Sequence, residues 1–217
     1  MPRHAQAWQE AAKPMGFRVS RREIYLWEGE SGFVTARTLL SRSSSPSSPR
    51  DLRALLREKE QRFSRLARRL KANPTLCRLL PRLRRRGVRL GLVTGTSLAE
   101  VRRVVPRRVL DAFDVIVTGD RVRRGKPHPD PYRTAFQRLG VTPHHTVVVE
   151  NAPYGIRSAR RAGAGLVVAL TSSLPRRFLR GADVVVSSPS ALARFLERLV
   201  GGEGVDGFSP SRYNTAT

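Results

Sequence analysis

The spacing of apolar positions in this 217-residue chain changes period once, near Gly87. Before that point the period is helical. Ala5, Trp8, Ala12 and Met15 share one helix face, closed by Gly16. Ser20, with Glu23 three residues on, is a capping box opening a second helix. That helix runs into the polar turn Glu28-Gly29-Glu30-Ser31-Gly32. Over residues 51–72, Leu52, Leu55, Leu56, Phe63, Leu66 and Leu70 form one apolar stripe on an otherwise charged helix. Asn73-Pro74 ends it and starts another, with Leu76, Leu79, Leu80 and Leu83 before the stop at Gly87. Residues 41–49 are a Ser/Pro-rich linker with no means of packing.

After Gly87 short Val-rich runs alternate with helical segments. Strands are predicted over 88–95, 114–120, 146–150, 165–171 and 182–188. A second capping box, Ser97 with Glu100, opens a helix toward Phe113. Asp130 is read as the cap of a helix with Pro131 at its first position and Gly140 past its end. A further helix is closed by Gly163, and a last one covers 190–200. Such alternation predicts an α/β fold, a doubly wound parallel sheet behind an all-helical N-terminal unit. The expected division is a helical cap over 1–73, an α/β core over 74–200 and a disordered tail over 201–217.

Composition adds one puzzle. The net charge is +24, and lysine occurs only at positions 13, 59, 71 and 126, so nearly all the basic residues are arginine. Such a field attracts polyanions. No aromatic platform, zinc-ligand set or recognition-helix pattern accompanies it, so no specific nucleic-acid partner is expected. The arginine preference of a GC-rich genome accounts for the charge; a polyanion-binding module is the rival reading. One cysteine, Cys77, excludes an internal disulfide and fits a reducing cytoplasm. The chain shows no signal peptide pattern and no apolar run long enough for a bilayer. A cytoplasmic monomer is expected.

Three strand ends carry candidate chemistry. Thr94 and Gly95 offer a hydroxyl and backbone N–H groups before a capped helix, which suits a phosphate. Lys126 sits between Gly125 and Pro127, where the proline restricts the backbone and aims the ammonium. Its informativeness rises because the chain uses lysine so rarely. The strand at 146–150 ends on Glu150 and Asn151, whose oxygens suit Mg²⁺. The competing reading of that tip is a solvated turn in which Asn151 caps the next helix. Together the three ends describe a site for a phosphoryl group and a divalent metal.

These segments, L-G-L-V-T-G-T-S, R-G-K-P-H-P-D-P-Y and V-V-V-E-N-A-P-Y-G-I-R-S-A-R-R-A-G, resemble the haloacid dehalogenase-like phosphohydrolases in the order that family has them. The likeness is to the beta-phosphoglucomutase and phosphatase branch with a helical cap, and covers residues 4 to about 198. It implies that Thr94 and the Gly95 N–H hold the transferring phosphoryl group, that Lys126 neutralises it, and that Glu150 and Asn151 hold Mg²⁺. Asn151 stands where relatives commonly have aspartate, and an amide adds no charge. The likeness also implies that His4, Glu28, Gly29 and Lys59 lie at cap positions near the substrate; a helix-start role for His4 is equally open.

One departure is large. The family uses an aspartate nucleophile and a second aspartate two residues later, and this chain contains no D-x-D. The absent segment would precede Met1, so a mis-assigned start or a fragment is expected in preference to a finished pseudoenzyme. The missing first strand would leave the strands ending at Thr94 and Glu150 with open edges, or force them to pair directly. The expected function is Mg²⁺-dependent phosphoryl transfer from a small phosphorylated metabolite, a sugar phosphate by resemblance, with negligible turnover by the chain as written. Phosphatase is preferred over phosphomutase; a catalytically dead phosphate-binding member is the alternative.

Overall fold

A computed structural model describes residues 2–43, 47–67 and 72–202. The first part is helical. Helices α1 (Pro2–Ala12), α2 (Arg21–Leu26), α3 (Gly32–Leu40) and α4 (Pro49–Ala67) bury Trp8, Ile24, Ala36, Leu39 and Leu55 in one cluster. The capping box at Ser20 forms as expected: its hydroxyl accepts from the Glu23 N–H at 3.1 Å, and Glu23 accepts from the Ser20 N–H at 2.8 Å.

The helical reading needs several corrections. Helix α3 was not anticipated: Ser31 caps it, and the polar turn before it gave no periodic signal. The linker is not structureless at its end, because Ser48 and Asp51 exchange bonds across the start of α4. Residues 44–46 of that linker lie outside the described residues, as do Leu70 and the tail beyond Gly202. Ser97 forms only half a box. It accepts from the Glu100 N–H, but the Glu100 carboxylate turns away to Lys59. The helix toward Phe113 is broken by Pro106 into α6 (Leu98–Val104) and α7 (Arg107–Leu110).

Beyond α5 (Pro74–Arg85), capped by Asn73, the chain alternates strand and helix. The strands are β1 (Gly91–Val93), β2 (Val115–Val117), β3 (Val147–Glu150), β4 (Leu166–Leu170) and β5 (Val184–Val186). Between them lie α8 (Asp130–Leu139) and α9 (Pro153–Arg161), and α10 (Pro189–Val200) ends the fold. All pairings are parallel, as expected for an α/β core with helices on both faces. Asp130 does not cap α8. It is the helix's first residue, and its carboxylate is held by His128 at 2.8 Å and Arg124 at 3.2 Å.

The strands form two sheets, β1-β2 and β3-β4-β5. Both belong to one layer, because each face is covered by a continuous apolar cluster. Val93 of β1 and Val148 of β3 pack with Phe136 and Ile156 on the α8/α9 face. Leu90 and Val147 pack with Leu83 and Leu196 on the α5/α10 face. Yet β1 pairs with β2 and not with β3, so the facing edges of β1 and β3 carry no ladder between them. Of the two outcomes expected for these strands, the structure has the open edges.

Open strand edges beside apolar side chains favour association. Val149, in the middle of β3, is 40% exposed. Val149→Lys is expected to lower concentration-dependent light scattering while changing the urea-unfolding free energy by no more than about 0.5 kcal/mol, since the side chain is not in the core.

Candidate active site

The parallel register brings the carboxyl ends of β1, β2 and β3 to one side of the sheet, where open α/β folds bind ligands. At the end of β1, Thr94 donates its N–H to Val117 of β2 at 3.0 Å, and its Oγ1 accepts from the Thr96 N–H at 3.2 Å. Gly95 lies directly beneath the polar turn of the helical unit. A Cβ there would come within 2.4 Å of the Glu30 carbonyl oxygen and 2.6 Å of that of Gly29. Only glycine admits this approach.

Lys126 is carried by the loop between β2 and α8 and is 4% exposed. Its Nζ donates to Glu150 Oε1 at 2.5 Å and to the Val93 carbonyl at 3.2 Å, and it lies 4.9 Å from the centre of the Tyr132 ring. The same Glu150 oxygen accepts from the Tyr132 hydroxyl at 2.5 Å, and Oε2 accepts from the Asn151 N–H at 3.1 Å. Burial, then the Glu150 charge, pushes the Tyr132 phenol well above its usual value, so it remains a donor. Gly155 allows the carboxylate to sit there, because a Cβ at that position would be 2.0 Å from Glu150 Cδ.

Asn151 does not cap α9. The cap position is Ala152, without a side-chain bond. The Asn151 amide nitrogen instead donates to Glu28 Oε2 at 3.1 Å and to the Ser172 hydroxyl at 3.3 Å, tying the helical unit to the core. Burial, and secondarily the Glu150 carboxylate, pushes Glu28 up to about 8. Gly29, next in the chain, has φ +87°, and a Cβ there would meet Lys126 Cδ at 2.7 Å.

Between the helical unit and the core, Lys59 of α4 meets Glu100 of α6 at 2.9 and 3.0 Å, with both side chains about 5% exposed or less. The Trp8 and Phe63 ring centres are 5.8 and 5.2 Å from Lys59 Nζ. His4, in the first turn of α1, stacks edge-on against both rings. Burial, reinforced by the Lys59 charge, lowers its pKa well below the ordinary histidine value, so the ring is neutral at pH 7.

A cavity of about 510 Å³ is lined by Thr94, Gly95, Lys126, Glu150, Asn151, Glu28, Gly29, His4, Lys59 and Glu100. Every residue singled out from the sequence therefore faces one cleft. Two further participants were missed. Glu100 was hidden by its capping-box position. Tyr132 stands in the P-D-P-Y segment, six residues after Lys126, and no local pattern marks its hydroxyl. The cleft fits Mg²⁺ only in part. Glu150 Oε1 is committed to Lys126 and Tyr132, and no group of three or more His, Cys, Asp or Glu among the described residues is arranged to hold a metal.

The raised Glu28 pKa has a signed consequence. Its folded state holds the proton to about pH 8, against about 4.5 when unfolded. The stability it contributes is full below pH 4.5 and is lost as pH rises to about 8. Glu28→Gln is therefore expected to be the more stable protein above pH ~8, by on the order of a few kcal/mol, with the difference vanishing below pH ~4.5. Urea unfolding across pH in metal-free buffer reads this out; an unchanged pH slope in the variant contradicts it.

Comparison with known proteins bears on the family and the fold. The family profile described as haloacid dehalogenase-like hydrolase matches residues 1–163. The chain is 32% identical over 146 residues to the phosphorylated carbohydrates phosphatase of Thermotoga maritima, covering 66% of each protein. It is 30% identical over 196 residues to protein CbbY of Cereibacter sphaeroides, covering 85% of this chain and 84% of CbbY. With hexitol phosphatase A of Escherichia coli it shares 38% identity over 117 residues, 54% of each. The matched stretch thus spans from about half to over four-fifths of these relatives' lengths. Among solved structures, a beta-phosphoglucomutase-type protein from Bacteroides vulgatus superposes with a TM-score of 0.77 at 27% identity, over 90% of this chain and 81% of that one. CbbY from Rhodobacter sphaeroides in complex with phosphate gives 0.73 at 28% identity, over 88% and 89%. The family profile, the relatives' identity and the shared fold establish that this chain belongs to the haloacid dehalogenase-like hydrolases, in their beta-phosphoglucomutase-like branch.

Proposed function

We propose that the cleft binds the phosphoryl group of a small phosphorylated metabolite, of the sugar or polyol phosphate class, and that the intact site transfers it to water. The observation that carries this reading is Lys126. Its buried ammonium, already held by Glu150 and the Val93 carbonyl, lines the same cleft as the Thr94 hydroxyl, so an anion entering there meets a fixed positive charge and a hydroxyl donor. In this reading Lys126 and the Thr94 and Gly95 donors face the equatorial oxygens of the transferring group, where preorganised positive charge lowers the barrier. Residues 1–73 act as the cap and 74–200 as the core. The Glu28–Asn151 bond and the packing of Gly29 and Glu30 on Gly95 correspond to a cap closed over the site, which excludes water during transfer.

The names of the relatives support the substrate class: a phosphorylated carbohydrates phosphatase, a hexitol phosphatase and a fructose-1-phosphate phosphatase are among them. Hydrolysis is preferred to phosphoryl return because it asks less of the cap. The family generally uses Mg²⁺. Glu150, Asn151 and Glu28 supply part of an oxygen ligand set, and the chain's own residues do not complete it, so no step is assigned to the metal. The family's route also needs an aspartate to attack phosphorus, displacing the alkoxide and leaving an acyl phosphate for water to cleave. No D-x-D pair exists in this sequence.

The chain of 217 residues is accordingly expected to hydrolyse p-nitrophenyl phosphate at a negligible rate. Fusion of an extended apolar segment ending in Asp-x-Asp-Gly ahead of Met1, suited to the open edges of β1 and β3, is expected to raise turnover by ~10³-fold or more. The same fusion carrying Lys126→Met loses that gain. Ordinary turnover by the unfused chain, or no gain from the fused one, contradicts the proposal.

A further inference from the structure

The side of the cleft around Lys59 differs in kind from the side around Lys126. The protein carries a net charge of +24, yet its cap-side wall is not cationic. Arg3 and Lys59 are its basic residues there, set against Glu60 and Glu100. Lys59 is fully matched, because both Glu100 oxygens lie within 3.0 Å of its Nζ. Its remaining neighbours are the rings of Trp8 and Phe63 and the neutral His4. Lys126 has a different pair of acceptors, one Glu150 oxygen and the Val93 carbonyl, and it lines the cleft together with the Thr94 hydroxyl.

A lysine–glutamate pair presents a donor and acceptors side by side without net charge. That is the complement of a hydroxyl group, which both donates and accepts. Aromatic rings beside it suit the C–H faces of a sugar or polyol. A second phosphoryl group at this end would meet a buried carboxylate it cannot displace without stranding that charge.

Resting on the phosphoryl-binding reading above, we infer that the Lys59–Glu100 pair is a specificity-determining hydroxyl reader: the cleft takes a monophosphorylated sugar or polyol with an uncharged far end and discriminates against bisphosphates. This separates the chain from the CbbY protein solved in complex with xylulose-(1,5)bisphosphate, to which it is 28% identical.

Calorimetric titration of the full chain with inorganic phosphate, sorbitol 6-phosphate and fructose 1,6-bisphosphate tests it. The expected order is sorbitol 6-phosphate tightest, with the bisphosphate weaker by roughly tenfold or more. Glu100→Gln, which leaves the Lys59 charge unmatched, is expected to close that gap by tightening the bisphosphate. Lys59→Met combined with Glu100→Leu replaces the pair by apolar groups of similar volume, so it keeps the fold while reducing sorbitol 6-phosphate to the affinity of inorganic phosphate. Equal affinity of the wild-type chain for the monophosphate and the bisphosphate overturns the inference while leaving the phosphate site standing. Failure of all three probes to bind overturns both readings.

Discussion

A buried lysine has to be given a partner, and much of this structure follows from how Lys126 gets one. Its ammonium is held by the Val93 carbonyl at the end of β1 and by Glu150 at the end of β3. One side chain therefore spans the two sheets at the edge where no backbone ladder joins them. Tyr132 completes the arrangement by donating to the same carboxylate oxygen, which fixes the start of α8 against the end of β3. Removing either charge would leave the other buried and unpaired, a loss of about 3–5 kcal/mol in comparable pairs. The glycines around it answer to the same constraint. Gly155 makes room for the Glu150 carboxylate, and Gly29 for the Lys126 stem.

A second buried pair repeats the logic between the helical unit and the core. Lys59 on α4 and Glu100 on α6 meet through a bidentate contact, and the small cluster of Ala7, Phe63 and Ala67 packs beside Val104. With the Glu28–Asn151 bond and the Arg103–Ser64 bond, polar contacts join the helical unit to the core beside the apolar packing of Tyr25 and Leu26 on it. Polar ties of this kind are exchangeable for contacts with a hydroxylated ligand, whereas an apolar seal would not be. The arginine-rich surface plays little part in this. Several arginines are engaged locally, such as Arg84 with Asp114, Arg160 with Asp183 and Arg89 with the Leu139 carbonyl.

Most of the fold was legible because period and punctuation agree. The five Val-rich runs became the five strands, and Gly16, Gly87, Gly140 and Gly163 take positive φ where the helices were expected to stop. What failed was local and had physical causes. Helix α3 carries no clear apolar stripe, since Phe33 and Val34 are exposed on it. Glu100 sits at a capping-box position and Asp130 at the first helical position, and each is held elsewhere, by Lys59 and by His128. A capping pattern records what the backbone would accept, while a nearby charge decides where a carboxylate goes. At the site, residue types at strand ends placed Thr94, Lys126, Glu150 and Asn151 in one cleft. The contacts that tune them depend on chain crossings that no local pattern encodes: Tyr132 on Glu150, Glu28 on Asn151, and Glu100 on Lys59.

We propose Lys126 and Thr94 as the seat of the phosphoryl group. A crystal structure of the chain grown with inorganic phosphate addresses it directly. The expected result is a phosphate within hydrogen-bonding distance of Lys126 Nζ and Thr94 Oγ1, inside the cleft beneath Gly29. A structure in which phosphate binds only among surface arginines, with the cleft empty and Lys126 still closed on Glu150, contradicts it.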